Sequence, residues 1–590
     1  MNTKRKKVDA VIVGLGWAGS LMAEELTRAG LEVVAIDRGP WLDTSTDTPP
    51  AVDPDELRWS VRRELLLQPD TYTLTFRNRP DQTAVPTRGQ SAFQMGKSVG
   101  GAGFHWAGMA WRFTEWDFRA YSATVERYGK NKMDPDLMVQ DWGITYQDLE
   151  PYYDRFERIA GISGVAGNIQ GRIQKQGNPF EGPRSRDYPT PALKETRLME
   201  LYRESTAKMG LHPFYIPIAN AGSAYLNPLG VNMAPCTYCG YCMFHGCGNF
   251  SKSSPQACVI PALMRRKNFT LVTRGYVHKI EKTPDGKTAT GVTYYDEAGN
   301  TVFQPADIVC VTSYTFDNVR LMLLSGIGQA YDPSTGAGTV GKNYNYQTCS
   351  GANIWFENET LNPFIGAGGL GIQVDDYNGD NFDHSKLDFV GGAGLLTVSR
   401  EGMPIGRSDS LPSDVPRWGS GWKKGYAKYY QNYGIIFGQG TSMPSRTSYL
   451  SLDPSYKDKW GVPLLRLTFD FNDNDRRMAA FIQERSVEIG KAMGAKHISP
   501  FNSASKHWNP NDQNSSHTQG GAVMGADPKT SALNPDLQSW DVHNVFVVGG
   551  SAFPNNGGYN PTATVGALAI KAARAIHEKY VRNPGALVKA

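Results

Sequence analysis

From Val8 the chain opens with a short apolar run, VDAVIV, bounded by glycine. A run of that length and content predicts a buried parallel strand. Helical spacing follows through Leu21, Leu26 and Ala29 and stops at Gly30; a second apolar stretch, Glu32 to Ile36, ends at Asp37. Strand, helix and strand in that order predict an α/β, Rossmann-like start. Further along, ADIVCVT around Cys310 and the apolar run after His543 read as strands. Residues 40 to 60 and 403 to 421, rich in Pro, Asp, Ser and Gly, read as surface excursions. No fixed-period repeat is present. No stretch of about 18 uncharged apolar residues occurs, so the chain is not expected to span a membrane by itself.

Composition sharpens this picture. A length of 590 residues allows several domains or one multi-lobed enzyme. With 13 Trp, 28 Tyr and 24 Phe beside 63 Gly and 36 Pro, the chain reads as a packed but loop-rich globule. The balance of 61 Lys+Arg against 57 Asp+Glu argues against a nucleic-acid partner. The N-terminal residues are basic and run straight into the first strand without a leader-like apolar segment, which alone points to the cytoplasm.

Gly14, Gly16 and Gly19 form G-x-G-x-x-G between the first strand and the helix. That spacing suits a tight turn, backbone approach to a pyrophosphate and close helix packing, with helix amides facing the phosphates. Trp17 and Ala18 sit inside the motif, Asp37 lies about 20 residues on where a carboxylate can bind ribose hydroxyls, and Arg38 follows it. The motif alone leaves FAD and NAD open; its place at the start of a long chain favours FAD.

Four of the seven cysteines, Cys236, Cys239, Cys242 and Cys247, are spaced C-x2-C-x2-C-x4-C. The opening is ferredoxin-like and suits an iron-sulfur cluster. Zinc, disulfides and free thiols remain alternatives. Cys258, Cys310 and Cys349 are scattered. No HExxH or His-triad spacing supports zinc hydrolysis.

Several segments resemble the glucose-methanol-choline (GMC) oxidoreductases. They are VGGAGFHWAGMAWR (99–112), SYTFDNVRLMLLSGIG (313–328), LSLDPSYKDKWGVPLLRLTFD (450–470), SSHTQGGAVMG, VHNVFVVGGSAFP and NPTATVGALAIKAARAI. A closer likeness is to the flavoprotein subunits of bacterial gluconate 2-dehydrogenases and their 2-ketogluconate-oxidising relatives. It rests on FRN with PDQT near residue 80, QDWGITYQDLEPYYDRFE, GNPFEGPRSRDYP and the cysteine cluster.

The resemblance implies an FAD domain assembled from residues 1–45, 90–115, 230–330 and 505–590, a loop-rich insertion at 116–229, and an antiparallel-sheet substrate domain at 345–505. It places Gly100, Gly101, Gly103, Trp106, Val277, Gly549, Ser551, Pro561 and Thr562 against FAD, and His105 where relatives attach FAD covalently. His517 falls at the position of the active-site base, and Asn560 at that of a second polar group on the reacting oxygen. A neutral imidazole can take a hydroxyl proton while hydride leaves the adjacent carbon for flavin N5.

Relatives hold a three-iron (3Fe-4S) cluster on three cysteines with an x5 first gap. Cys236 and Cys242 reproduce that gap, but the gap to Cys247 is x4 in place of x3, and Cys239 is an additional candidate ligand. The implied activity is oxidation of a sugar acid, D-gluconate first, with electrons leaving through the cluster to a multihaem cytochrome c subunit. A small subunit would carry the export signal to the periplasmic face of the inner membrane, with membrane contact only through a partner. 2-Ketogluconate, sorbitol or another polyol as substrate, a peroxide-forming oxidase, and a noncatalytic flavin-bound assembly subunit are the alternatives. A gluconate carboxylate needs a cationic or amide-rich contact; Arg400 and Arg407 are basic residues of the substrate region that sequence does not place in the pocket.

Overall fold

Five parallel strands form the first layer of the computed structural model, which describes residues 3–49, 55–61, 65–89, 91–399, 403–405, 411–512 and 515–589. Their order is Phe269–Val272, Val33–Ile36, Val8–Val13, the second half of Thr301–Val311, and Val545–Val547. Val33 to Ile36 and all of Val8–Val13 except Asp9 are buried, as a strand covered on both faces requires. The order reverses beside Val8–Val13, so the crevice at the carboxyl ends of these strands is where a dinucleotide fits.

Thr301–Val311 serves two sheets. Up to Pro305 it pairs antiparallel with Ala289–Tyr295, which pairs in turn with Tyr276–Lys282; from Ala306 it joins Val8–Val13 in parallel. The change of partner coincides with a residue that has no amide hydrogen to give a ladder.

Helix Trp17–Arg28 crosses over from the first strand and packs on helix Thr562–Ala575, which packs in turn on Tyr146–Ala160. Gly566 makes the second contact close: a Cβ there would meet the Phe156 ring at 2.3 Å. The segment 116–229 carries helices Ala120–Tyr128, Tyr146–Ala160 and Arg197–Lys208, joined by long irregular stretches. It is locked to the core by Glu157, which takes both Arg112 (2.7 Å) and Arg184 (2.6 Å).

The second layer is a six-stranded antiparallel sheet ordered Pro213–Tyr215, Gly371–Val374, Leu395–Val398, Tyr433–Gly440, Thr348–Trp355 and His497–Asn502. Its edge strand comes from the insertion, outside 345–505. Helix Asp473–Ala492 covers one face. Tyr433, Ile435, Phe437 and Gln439 alternate onto the opposite face and look into the crevice. The 450–470 segment does not join this sheet. Its strands Tyr449–Lys457 and Pro463–Thr468 pair with each other, and the second pairs with Thr75–Arg77, which pairs with Val85–Pro86. Among the described residues no helix is long and apolar enough to cross a membrane.

Candidate active site

A cavity of about 680 Å³ lies between the two layers. At one end stands the glycine turn. Gly14 has φ +88°, and a Cβ on Gly19 would lie 2.0 Å from the Gly14 carbonyl oxygen. These two glycines are therefore required by the protein itself, and Gly19 packs the helix without reaching the cavity. Gly16 differs: a Cβ there would meet nothing nearer than the Gly100 carbonyl at 3.7 Å. The bare backbone at Gly16, with Trp17 and Ala18 in the first helical turn beside it, leaves room for a phosphate at a helix N-terminus.

Asp37 lines the same end, but both its oxygens already serve the turn, accepting the amides of Leu15 and Gly39 at 2.8 Å each. Burial pushes its pKa up and those two bonds oppose the rise. A ribose hydroxyl would be an added partner, not its main one. Arg38 pairs with Asp317 at 3.0 Å and lies over the Tyr72 ring. Val277, with Tyr276 and Arg320, completes this end; Arg320 donates to the Tyr276 hydroxyl and to Asp458 at 2.8 Å. Asp317 and Arg320 were not legible as site residues, because their partners come from distant segments.

Starting beside Gly16, Gly100 (φ +91°), Gly101 and Gly103 carry the chain along the cavity into a short 3-10 turn that ends at His105. A Cβ on Gly103 would lie 2.8 Å from the Trp17 ring. His105 is buried, and burial lowers its pKa to about 4. Its Nε2 lies 3.0 Å from the Gln94 carbonyl, which can only accept, so the ring proton is on Nε2. Nδ1 is buried without a partner, a free lone pair on a neutral ring. Trp106, beside it, donates to the Ser253 carbonyl at 2.8 Å and meets Trp17 edge to face.

His517 and Asn560, 43 residues apart in the chain, come together with Asn560 Nδ2 3.2 Å from His517 Nε2. Gln347, absent from the sequence reading, accepts from His517 Nδ1 at 2.5 Å. No local pattern marks Gln347. Burial lowers the His517 pKa to about 3, so the imidazole is neutral at ordinary pH. Gly549, Pro561 and Thr562 line the cavity around this group. Ser551 does not: its hydroxyl accepts from Asn318 at 2.9 Å inside the FAD-type layer, and Gly550 takes the place on the wall.

Facing the dyad from the second sheet are Cys349, Asn353, Tyr433 and Gln439. The Tyr433 hydroxyl donates to Asn353 Oδ1 at 2.5 Å. Among the described residues on this face there is no Lys or Arg. Arg400 and Arg407 lie outside the described residues.

Cys236, Cys239, Cys242 and Cys247 line one second, smaller cavity together with Asn220, and none of the chain's cysteines is in a disulfide. Asn220 Nδ2 points at the sulfurs of Cys236 (3.7 Å) and Cys242 (3.6 Å), and the amides of Tyr238 and Lys252 point at Cys236 (3.5 Å) and Cys247 (3.3 Å). Donors aimed at sulfur are the kind that tune a cluster's thiolates. Burial raises the Cys242 thiol to about 12, and the ammonium of Lys252 opposes that rise. Among the described residues no three His, Cys, Asp or Glu side chains form a group that could hold a single metal ion.

Two models described as GMC oxidoreductase match the chain, one over residues 140–349 and one over 444–569. The chain is 45% identical to the gluconate 2-dehydrogenase flavoprotein of Pantoea cypripedii, covering 99% of this chain and 96% of that protein. It is 26% identical to the 2-methyl-1,2-propanediol dehydrogenase of Mycolicibacterium austroafricanum, covering 98% and 97%. The crystal structure of a formate oxidase superposes over 98% of this chain and 99% of that one with a TM-score of 0.61 at 15% identity, a likeness of fold alone.

Proposed function

This chain belongs to the GMC oxidoreductase family of FAD-dependent enzymes acting on CH–OH groups, and on that premise we propose that it oxidises a secondary alcohol of a sugar acid, D-gluconate to 2-keto-D-gluconate. The carrying observation is the His517 ring, held by Gln347 with Nε2 beside Asn560, in the cavity that also contains the Gly16 cradle and His105.

FAD, when bound, supplies the two-electron acceptor. The glycine turn and the N-terminus of Trp17–Arg28 would hold its pyrophosphate. His105 would carry a covalent link, a reading supported by its unpartnered Nδ1. His517 Nε2 takes the hydroxyl proton, and Asn560 holds the oxygen that loses it. Removing that proton makes the carbinol carbon a hydride donor, and burial of the ring keeps the imidazole neutral until then.

The gluconate reading is supported by the relative from Pantoea cypripedii and by the amides of Asn353 and Gln439, which can meet hydroxyls or a carboxylate. The Tyr433 phenol and the same amides can equally meet the hydroxyls of a neutral polyol, which is the second reading. We assign the four-cysteine cavity to an iron-sulfur cluster of the 3Fe-4S kind that passes electrons to a cytochrome c subunit. Assembly with a small export-signal subunit at the periplasmic face of the inner membrane is part of the same proposal; its support is the sequence resemblance. A dye-reduction panel of aldonates, 2-ketogluconate, sorbitol and aldoses tests the substrate. Gluconate should lead in kcat/KM by about tenfold or more, with negligible peroxide; a polyol or 2-ketogluconate in first place would replace the assignment.

A further inference from the structure

We propose that Gln347 is a positioning residue that selects the His517 tautomer with a bare Nε2; this rests on the reading of His517 as the base. Gln347 follows the short strand Asn345–Tyr346, which pairs with Thr518–Gln519, so its backbone is already in register with His517. Its side chain is fully buried. Nε2 of Gln347 donates to the carbonyls of Gly557 (2.6 Å) and Tyr559 (3.2 Å). Carbonyl oxygens only accept, so the amide nitrogen must face them and Oε1 must face the imidazole. Oε1 in turn only accepts, so the ring proton sits on Nδ1 and the lone pair on Nε2.

Without this contact a buried neutral imidazole has two tautomers to choose from. The other one places N–H at Nε2, against the donor Asn560 and against a substrate hydroxyl, where it cannot act as base. The same glutamine amide also grips the carbonyl of Tyr559, immediately before Asn560, so one side chain sets both members of the dyad. Ser515 reinforces the arrangement: its Oγ donates to the Gln347 carbonyl (2.8 Å) and accepts the His517 amide (3.3 Å). Among the described residues no charged side chain bonds the ring. The titratable groups on the elements packed around it include the Tyr346 phenol, which accepts the Ser516 amide, the Cys349 thiol, the Tyr433 phenol, and the Tyr559 phenol with Asp375 behind it.

The test is stopped-flow reduction of the holoenzyme's flavin by its best substrate as a function of pH, with flavin content and thermal melting as controls. Gln347→Leu should lower the limiting reduction rate about 100-fold while changing the half-saturating substrate concentration by no more than about threefold. Gln347→Glu should move the acidic limb of the rate profile upward by about one pH unit or more, because the introduced carboxylate favours the imidazolium. A purely structural role would not move that limb. A Gln347→Leu rate within about threefold of the native one, or an unmoved limb in Gln347→Glu, overturns the proposal; if Gln347→Leu does not retain flavin, the limb of Gln347→Glu decides. His517→Ala, measured in parallel, separates the two readings: sustained turnover there would remove His517 as base, whatever the Gln347 variants do.

Discussion

The backbone amide of Phe244 donates to the carbonyl of His105 at 2.9 Å, joining the cysteine loop to the segment that carries His105 along the first cavity. Met243 and Phe244 line the first cavity and Cys242 lines the second, so a single peptide step separates the two walls. The Lys252 ammonium clamps the same joint, donating to the carbonyls of Trp106 and Cys242 at 2.7 Å each. On the proposed assignment of the four cysteines to a cluster, this joint is where electrons would leave the flavin singly.

Replacing Cys242 by Ser should therefore uncouple the two centres. Iron and acid-labile sulfide should fall well below native content and the electron paramagnetic resonance signal of the oxidised protein should be lost. Substrate should still bleach the flavin, while reduction of a cytochrome acceptor slows by at least about tenfold. Unchanged iron content would remove the cluster assignment for this cysteine.

The glycine turn separates folding from cofactor binding. Gly19→Ala drives a methyl to 2.0 Å from the Gly14 oxygen and 2.7 Å from the Thr312 hydroxyl, so it should lower the melting temperature of the flavin-free protein. Gly16→Ala has room in the protein and should leave that melting temperature nearly unchanged, yet purify with much less flavin. Absorbance at flavin and protein wavelengths, with melting of the stripped protein, checks both; normal flavin content in Gly16→Ala would refute the cradle.

Asp375 predicts a pH effect on stability. Among the described residues it has no cationic partner; it accepts from Gln373 (2.6 Å), Asn178 (2.6 Å) and the Tyr559 hydroxyl, and burial raises its pKa to about 6 despite those bonds. An acid whose folded pKa is raised stabilises the fold fully below its unfolded value near 3.9, and that contribution is lost as pH rises through 6. The loss should be on the order of 3 kcal/mol between pH 4 and 7. His105 and His517, with lowered pKa values, act in the opposite sense over an overlapping window, gaining stability as pH rises toward about 6.5. Denaturant midpoints of native and Asp375→Asn proteins isolate the term: their difference should change with pH in this window, and parallel curves would refute it.

What could be read in advance was what depends on neighbours in sequence. The strand, glycine turn and helix start between Val8 and Arg28 follow from local sterics and spacing, and the four cysteines lie within one loop. His517 and Asn560 entered through resemblance to a family, since neither residue's surroundings show that they meet. That Ser551 bonds Asn318 while Gly550 lines the wall was not legible for a related reason: a motif says nothing of which side chain faces the wall and which faces the core.

Sequence by itself thus determined the α/β opening, the dinucleotide-type turn, the clustered thiols and the class of chemistry. Only the tertiary structure decided that Gln347, 170 residues from His517, chooses its tautomer, that Asp37 serves the glycine turn first, and that the substrate-facing sheet presents amides and a phenol. Local elements follow from torsional and spacing rules that act over a few residues. A hydrogen bond between distant segments exists only when two packed layers bring its donor and acceptor within 3 Å, and that distance is a property of the whole fold.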